Sequence, residues 1–441
     1  MTIKILDLFA GVGGLSLGFE MVKDNFENPV FELFRAVEID KYACDTLRKR
    51  HGEEKVIEGD ITHYNISKRI VDECKGKVSI IVGGIPCQSF SLIGPRSGFG
   101  KKIDKFKKDK RDNLYEHFLG IVGDVKPNII VIENVKGILS KKDSNDRKII
   151  DKLISDFEKI GYIFENENRE KWSLLNAADY GIPQKRERVI LIGIKQSWKN
   201  SCVPKIQPTH FDPSCGNKKE LLSKGLKPYV SVYEAIGDLP KVTPKVTLTG
   251  LTEEQKNKIK KKNKRIKSGK DIVDLDKARY QKHLNKISQS GIEFFNFVRP
   301  NGYKYVDHHI ARSQQLSDVE LFGLMNPGET AKDFMERMPK KAKTLIKYDM
   351  IAFKDKYRKQ GLSEPSTTVF AHLEKDGNRF IHPNQARTYT PREAARIQSF
   401  PDDFTFEGTM SKKFRQIGNA VPPLLSFNIA SCIANLMNKE R

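Results

Sequence analysis

The sequence is poor in cysteine, and its cysteines follow no pattern of a disulfide framework or a metal site. The 441 residues include six cysteines, and no two of them form a CxxC pair. No histidine cluster at metal-ligand spacing accompanies them. This usage is typical of a reducing compartment, and we expect neither a disulfide nor a bound metal.

Long hydrophobic runs, a targeting leader and internal repeats are missing as well. No apolar run approaches the roughly 18 residues that a membrane span needs. The chain opens on IKILDLFAG, without a charged leader followed by an apolar core. We therefore expect a soluble cytoplasmic protein with no membrane partner.

Positive charge is what the sequence has in excess. Lysine and arginine together number 78 against 56 aspartates and glutamates, a formal net charge of +22. Such a balance favours a polyanionic partner, with nucleic acid as the leading candidate, although basic proteins without such partners exist. The densest run, EEQKNKIKKKNKRIKSGK at residues 253–270, predicts either a solvated face or direct phosphate contact.

Short runs rich in isoleucine and valine alternate with helical patterns through the first half of the chain. Continuous runs of this kind are typical of strands buried on both faces of a parallel sheet. The sequence therefore predicts an α/β fold with a doubly wound, mostly parallel sheet. The predicted strands are Ile3–Phe9, Phe31–Val37, Val78–Val82, Asn128–Ile132 and Val189–Ile194.

Composition divides the chain into three parts. After Ile194 the character changes to lysine, proline, serine and asparagine, and order returns near Arg387. We predict a first α/β domain at 1–195, an irregular insertion at 196–385, and a C-terminal segment at 386–441 that returns to the first domain.

Three helices carry start signals or a clear apolar pattern. Asp40 caps DKYACDTLRKRH, and Thr390 caps TPREAARIQSFPDDF with Pro391 in the first turn and Glu393 three residues after the cap. The apolar segment Leu424–Met437 predicts a terminal helix.

Glycines and two acids follow the first three strands. Gly11, Gly13 and Gly14 in DLFAGVGGLSLGF permit a tight turn and close approach of a ligand, although a plain strand-to-helix turn has the same appearance. Glu38 ends the second strand, where doubly wound folds bind a ribose diol. Asp60 in GDI is placed to meet an adenine amine. Together these residues favour a nucleoside cofactor over an empty crevice.

Cys87 in GGIPCQSFS lies beyond the carboxyl end of a predicted strand, where open parallel sheets bind ligands. It is either an inert small apolar residue or a nucleophile beside a loop that closes over a substrate. Glu133 at the end of IIVIEN is either a charged strand end or a proton donor to a substrate ring. Arg186 and Arg188, alternating in PQKRERVILIG, suit phosphate or a carbonyl oxygen, or form a solvated basic edge.

In chain order these motifs closely resemble those of the cytosine-5 DNA methyltransferases, above all the bacterial modification enzymes. The resemblance covers about residues 3–195 and 365–435, while the middle segment matches only as a region that varies within the family. The motifs are DLFAGVGG, VEID, GDI, GGIPCQSFS, RDNLY, IENV, GIPQKRERVILIG, TPREAARIQSFPDDF and QIGNAVPP.

The resemblance implies the S-adenosylmethionine-dependent methyltransferase fold, Rossmann-like, with residues 1–195 as the catalytic and cofactor-binding domain and 196–385 as a target-recognition domain. It implies S-adenosyl-L-methionine as methyl donor and no metal. The implied cofactor-binding residues are Phe9, Gly11, Gly13, Gly14, Glu38, Ile39, Asp60, Ile61, Pro86, Leu114, Asn419 and Val421. The implied catalytic residues are Cys87, Glu133, Arg186 and Arg188, and the implied DNA-binding residues are Gln88, Ser91, Gln184 and Thr368, with Val369 beside the last.

The implied reaction transfers a methyl group to C5 of a cytosine flipped out of duplex DNA, through a covalent adduct with Cys87. The expected setting is a restriction-modification system with a separately acting endonuclease, and the expected form is a cytoplasmic, nucleoid-associated monomer. An RNA cytosine-5 methyltransferase and a catalytically silent DNA-binding regulator are the alternatives. One departure is KKIDKFKKDK at residues 101–110, which makes the loop after Cys87 longer and more basic than in compact family members.

Overall fold

The structure, a computed structural model, describes residues 2–86, 114–142, 146–165, 173–198, 203–249, 251–266, 269–299, 304–346 and 356–438. Its strands are β1 Ile3–Leu8, β2 Phe31–Glu38, β3 Val56–Glu58, β4 Ile80–Gly84, β5 Ile129–Val135, β6 Tyr162–Ile163, β7 Leu174–Asn176, β8 Gln184–Lys185, β9 Glu187–Lys195, β10 His210–Phe211, β11 Lys227–Pro228, β12 Gly269–Asp274, β13 Tyr305–Ile310 and β14 Ser366–Thr367.

The α-helices are α1 Gly14–Glu20, α2 Lys41–His51, α3 Tyr64–Cys74, α4 Leu114–Val125, α5 Ile149–Lys159, α6 Lys218–Ser223, α7 Val232–Ile236, α8 Glu253–Arg265, α9 Lys277–Leu284, α10 Gln289–Val298, α11 Leu316–Leu324, α12 Ala331–Arg337, α13 Pro339–Leu345, α14 Pro391–Ile397, α15 Met410–Asn419 and α16 Pro423–Asn438. Short 3₁₀ helices are found at Glu53–Lys55, Lys136–Leu139, Ala177–Tyr180 and Ala371–Glu374.

An eight-stranded mixed sheet is built from the first half of the chain, which confirms the predicted α/β class. Its order is β3-β2-β1-β4-β5-β9-β6, with β7 also paired to β9. The pairs among β1 to β5 are parallel, while β9 runs antiparallel to β5. Strand order reverses between β1 and β4, the kind of position where open α/β sheets bind ligands.

The predicted strands are each present, because their isoleucine and valine side chains are buried. Ile5, Ile80, Ile129 and Val189 are fully shielded from solvent, as strands covered on both faces require. Gly83 permits close packing here, because a Cβ at that position would lie 2.6 Å from the ring of Phe118. The carboxyl ends of β1, β2, β4 and β5 therefore meet along one edge of a rigid sheet.

The described chain divides into two compact units that do not follow the sequence continuously. Unit 1 comprises Met1–Tyr180, Arg186–Pro208 and Ala420–Arg441, and unit 2 comprises Gly181–Lys185 and Thr209–Asn419. Residues 386–419 group with unit 2, because α14 packs on α7 and β13. These divisions differ from the predicted boundaries at 195 and 385, and the functional division into catalytic and recognition domains stays a prediction.

The segment 196–385 is more regular than predicted. Within its described residues eight helices form, α6 to α13. Several have start signals that the lysine-rich composition hides: Ser231, Thr252 and Thr330 each form a capping box with the residue three positions later. Local capping and small apolar faces, rather than long periodic runs, stabilise these helices.

Buried ion pairs hold together several elements of unit 2. Arg396 on α14 contacts Asp238 and Asp402, and Nε of Arg396 lies 2.8 Å from Oδ1 of Asp402. Arg299, after α10, lies 3.4 Å from Asp238. These side chains are at most 3% exposed, so removal of one partner leaves an uncompensated charge in the interior.

The last helix packs against the first. Gly18 on α1 lies against the backbone of Pro423 and Phe427, and the Ser426 hydroxyl donates a hydrogen bond to the carbonyl of Leu15. Within the described residues one stretch, Met410–Met437, is long and apolar enough to cross a membrane by length and composition alone. The part of this stretch that forms α16 packs on α1, and this packing accounts for the apolar side chains of α16.

Candidate active site

The turn after β1 adopts a left-handed backbone at three positions. Phe9, Gly11 and Gly13 have φ values of 57°, 55° and 78°. A Cβ at Gly13 would lie 2.9 Å from the side chain of Leu47, whereas no described atom lies within 4 Å of the position that a Cβ at Gly11 would occupy. The turn therefore presents open backbone at Gly11, as a ligand cradle requires.

Glu38 ends β2 and joins this turn. One carboxylate oxygen accepts a hydrogen bond of 2.7 Å from the Gly11 amide, and the other accepts bonds of 2.8 Å from the amides of Ile39 and Asp40. Burial raises the pKa of Glu38, and the three amide donors oppose that rise. The side chain of Ile39 is 64% exposed, which is unusual for an isoleucine and leaves an apolar surface beside the carboxylate.

Asp60 lies two residues after β3. The preceding residue, Gly59, is held to the end of β2, because its amide donates a hydrogen bond of 2.9 Å to the Glu38 carbonyl. The Thr62 amide donates to the Asp60 carboxylate at 2.9 Å and lowers its pKa. Ile61 is buried. Asp60 therefore remains partly exposed and ionised next to the end of β2.

Pro86 and Leu114 are both half-buried. Pro86 lies two residues beyond β4, and Nδ2 of Asn134 donates to the carbonyl of the preceding Ile85 at 3.5 Å. Leu114 begins α4 and packs on the core that contains Phe118. The ring of Phe9 stacks on Phe118 with centroids 6.5 Å apart. The segment that leads to Cys87 is thus fixed against β5.

Glu133 and Arg188 form an ion pair at the end of β5. Arg188 Nε lies 2.9 Å from Glu133 Oε1, and the side chains are 13% and 12% exposed. Glu133 is paired in register with Gly84, whose Cβ, if present, would lie 3.2 Å from the carboxylate. Burial lowers the pKa of Arg188, and Glu133 opposes this shift. The glycine leaves room for this charged pair beside the chain that continues to Cys87.

Arg186 is buried, and its Nη2 donates to the carbonyl of Ala420 at 3.1 Å. Burial and the nearby Arg188 lower its pKa. The bond ties the residue before β9 to the segment before α16. Val421, next to Ala420, is buried, while Asn419, the last residue of α15, is exposed.

Gln184 is completely buried in unit 2. Its amide nitrogen donates to Gln398 Oε1 at 2.8 Å and to the Ile397 carbonyl at 3.2 Å, and its Oε1 accepts from the Val369 amide at 2.7 Å. The Thr368 hydroxyl donates to the Lys185 carbonyl at 2.6 Å. Any role of Gln184 in DNA binding is therefore indirect, through the position of Thr368 and Val369.

Three predicted site residues, Cys87, Gln88 and Ser91, lie outside the described residues, as does the basic stretch 101–110. Asp7 is a buried acid that the sequence analysis did not single out. Burial raises its pKa to about 7, hydrogen bonds from Ser16 oppose this, and Oδ2 has no partner among the described residues. An acid inside the apolar run IKILDLF was the available signal.

Comparison with known sequences decides the family. The sequence profile of the C-5 cytosine-specific DNA methylases matches residues 3–435. The chain belongs to this family. It is a DNA (cytosine-5-)-methyltransferase, as the motifs predicted, and the mixed eight-stranded sheet is the methyltransferase fold.

Named relatives of the methyltransferase cover most of its length. It is 31% identical to the type II methyltransferase M.DdeI of Desulfomicrobium norvegicum, over 98% of this chain and 88% of that protein. It is 30% identical to the type II methyltransferase M.NgoFVII of Neisseria gonorrhoeae, over 95% of this chain and 83% of that protein. A crystal structure of a prophage-encoded DNA modification methyltransferase of E. coli shares its fold, with a TM-score of 0.65 and 24% identity over 99% of this chain and 100% of the other.

Proposed function

We propose that this enzyme transfers a methyl group from S-adenosyl-L-methionine to C5 of a cytosine extruded from a specific duplex DNA sequence, through a covalent adduct with Cys87. The observation that carries the proposal is the Glu133–Arg188 pair, 2.9 Å apart and mostly shielded from water. It lies beside Gly84, three residues before Cys87 in the sequence. In the proposed mechanism, Cys87 supplies the nucleophile next to this acid and this guanidinium.

The residues after β1, β2 and β3 fit the methyl donor. Open space at Gly11 leaves room for its methionine portion, and the Glu38 carboxylate keeps acceptor capacity for a ribose hydroxyl beyond its three amide bonds. The exposed Ile39 offers an apolar surface to adenine, and Asp60 an acceptor for its amine. When bound, the donor supplies an electrophilic methyl group on a sulfonium.

Cys87 divides a difficult substitution into two easier steps. C5 of cytosine is a weak nucleophile, so the thiolate first forms a bond from Sγ to C6, while Glu133 donates a proton to the ring nitrogen and C5 becomes an enamine carbon. After C5 has gained the methyl group, it loses its proton to a water molecule, the Sγ–C6 bond breaks, the ring double bond is restored, and the ring nitrogen returns its proton to Glu133. At the end of the reaction Cys87 is a free thiolate again, and the cytosine ring differs from the substrate only by its new methyl group.

Arg188 has two tasks in this scheme. Its guanidinium holds the Glu133 carboxyl in place through the Nε contact and has donors left for the cytosine carbonyl oxygen. Its positive charge would also favour the thiolate form of a cysteine side chain at this strand edge. Arg186 positions the strand by its bond to Ala420 and does not reach the substrate in this proposal.

Unit 2 is proposed to select the DNA sequence. Extrusion of a base costs about a few kcal/mol for unpairing and unstacking, and contacts from Gln88, Ser91 and Thr368 would offset this. Because M.DdeI and M.NgoFVII are named type II methyltransferases, we place this enzyme in a restriction-modification system with a separate endonuclease. It would act as a monomer on DNA in the cytoplasm, at the nucleoid.

The adduct can be tested by trapping. Bisulfite sequencing of DNA from cells that express the enzyme identifies the methylated cytosine, and a synthetic duplex then carries 5-fluorocytosine there. Fluorine cannot leave as a proton, so Cys87 remains attached after methyl transfer. We expect a denaturation-resistant protein–DNA band that requires the methyl donor and is absent in Cys87→Ala, which still binds the duplex. A trapped band with Cys87→Ala, or none with the native enzyme, would overturn the mechanism.

A further inference from the structure

A basic groove on unit 2 has no part in the chemistry described above. Four lysines and two asparagines line it, in a volume of about 570 Å³, and no carboxylate is among them. The lining residues are Lys245, Asn257, Lys260, Lys261, Asn263 and Lys264. Within the described part of the chain, none of these lysines forms an ion pair.

The groove is built on a fixed helix rather than on a loose lysine-rich strand of chain. α8 begins with a capping box between Thr252 and Gln255, and its inner face buries Ile259. Asn263 clamps the neighbouring segment: its Oδ1 accepts from the Val246 amide at 3.0 Å, and its Nδ2 donates to the Val246 carbonyl at 2.8 Å. Lys245, next to Val246, is thereby held opposite the helix.

The distribution of charge on α8 is not explained by helix stability alone. Glu253 and Glu254 in the first turn and the cations of the last turn complement the helix dipole. Lys260 and Lys261 lie in the interior of the helix, and Lys245 lies on another segment, so the dipole does not account for them. Four positive charges with no carboxylate among them repel one another, and an anion bound between them would offset that repulsion.

The spacing fits a phosphate backbone. Lys260 and Lys264 are four residues apart, about 6 Å along the helix axis. A strand of B-DNA presents closely spaced phosphates, so these two ammonium groups can contact neighbouring phosphates, and Asn257 adds an amide donor. We propose that this groove binds the phosphate backbone of duplex DNA and contributes affinity without reading sequence. The proposal rests on the proposed DNA-modifying function.

The test compares two triple variants of the full-length enzyme. The first variant, with Lys260→Ala, Lys261→Ala and Lys264→Ala, removes three positive charges from the face of α8 that lines the groove. Lys258→Ala, Lys262→Ala and Arg265→Ala, all exposed, remove the same charge from another face, since α-helices have about 3.6 residues per turn. A Lys→Gln version of the groove triple keeps side-chain length, and circular dichroism checks that each variant is folded.

Binding of a fluorescent 30-base-pair duplex is measured between 50 and 200 mM salt. Each phosphate contact adds about 0.9 to the magnitude of the negative slope of log K against log salt, so the groove triple should reduce that magnitude by about 2.7 and the control triple by much less. The loss should be equal for duplexes with and without the methylation site. In methyl transfer, KM for DNA should rise while kcat at saturating DNA stays unchanged.

The outcomes separate this proposal from the proposed function. If the native enzyme methylates DNA and both triples lower the slope equally, or neither does, the groove proposal is wrong and the function stands. Binding of a duplex RNA is measured in the same way. If the groove triple weakens the binding of duplex RNA but not of duplex DNA, the assignment to DNA is wrong. If the native enzyme methylates no DNA, the proposed function fails, while the slope measurement still decides the groove.

Discussion

Glu133 shows how one residue combines two environments. Its carboxylate is mostly buried, and Arg188 lies 2.9 Å away. Arg188 thereby fixes the position of the carboxyl group that the proposed mechanism uses. The proposed role in catalysis therefore depends on the pair rather than on either side chain alone.

Glu133→Gln keeps the shape of the side chain but removes its proton chemistry. We expect methyl transfer to fall by about 10²- to 10⁴-fold, the range of general acid–base contributions, with DNA affinity nearly unchanged. Single-turnover methyl transfer at saturating DNA measures this loss. Glu187→Gln is the control, since Glu187 pairs with Lys136 on an exposed surface; an equal loss there would indicate a merely structural effect.

At the residue scale, the sequence predicts which side chains belong to the site better than it predicts their hydrogen-bond partners. Strand ends direct attention to Glu38, Glu133 and Arg188, and the structure brings each to the same sheet edge. The bond from Arg186 to Ala420 spans 234 positions, and the one from Gln184 to Gln398 spans 214. No local pattern encodes such partners, because they depend on how distant segments pack.

Among the elements, α14 combines a clear local start signal with buried charged side chains. Thr390 and Glu393 form its capping box, and Glu393 also accepts 2.7 and 2.6 Å bonds from Arg387. Despite complete burial, Arg387 and the nearby His382 and His309 lower the pKa of Glu393 well below its ordinary value. The capping box was predictable from sequence, whereas the partner Arg387 was not.

Glu393→Gln should expose this dependence on charge. Because the folded pKa lies below the unfolded value of 4.5, the stabilisation is present above about pH 4.5 and is lost as pH falls towards the folded pKa. Near pH 7 the free energy of unfolding of the variant should be about 3–5 kcal/mol lower than that of the native enzyme, because Arg387 remains buried without its carboxylate partner. On acidification the variant should lose less of its free energy of unfolding than the native enzyme does. Urea unfolding from pH 3.5 to 7 measures both effects.

Glu320→Gln is the matched control for that experiment. Glu320 pairs with Lys341, but both side chains are about half exposed, so we expect a change of about 0–1 kcal/mol. A loss as large as that of Glu393→Gln would show that burial does not set the strength of these pairs.

Strand direction is the feature of the elements that composition hides. The run Val189–Ile194 is as apolar as the parallel strands, yet β9 runs antiparallel to β5. Both directions bury the same side chains, and the chain path between β5 and β9 decides the outcome. Burial was therefore predictable from the sequence, and orientation was not.

At the scale of the whole molecule, five residues of the chain belong to a different unit from their neighbours. Gly181–Lys185 groups with unit 2, where β8 pairs with β14 and Gln184 bonds to Val369, Ile397 and Gln398. The residues on either side belong to unit 1. The stability of unit 2 thus depends on a short segment that a contiguous domain boundary would assign elsewhere.

Gln184→Ala in the full-length enzyme tests this dependence. It leaves the Val369 amide without its acceptor in the interior, at a cost of about 1–3 kcal/mol. Hydrogen exchange should quicken by about 10- to 100-fold in peptides that contain Val369 and Gln398, with β5 unchanged. Lys185→Ala, an exposed neighbour, should leave both regions unchanged. Equal loss of protection in β5 would mean that the two units open as one.

The contact between α1 and α16 also governs how the protein is made. The Ser426 hydroxyl and the Leu15 carbonyl that it contacts are 411 positions apart. The face of α1 at Leu15 and Gly18 leaves the ribosome early and lacks this partner until residues 423–427 have been translated. We expect nascent chains to need a chaperone at this face, and products that terminate before residue 423 to be inactive.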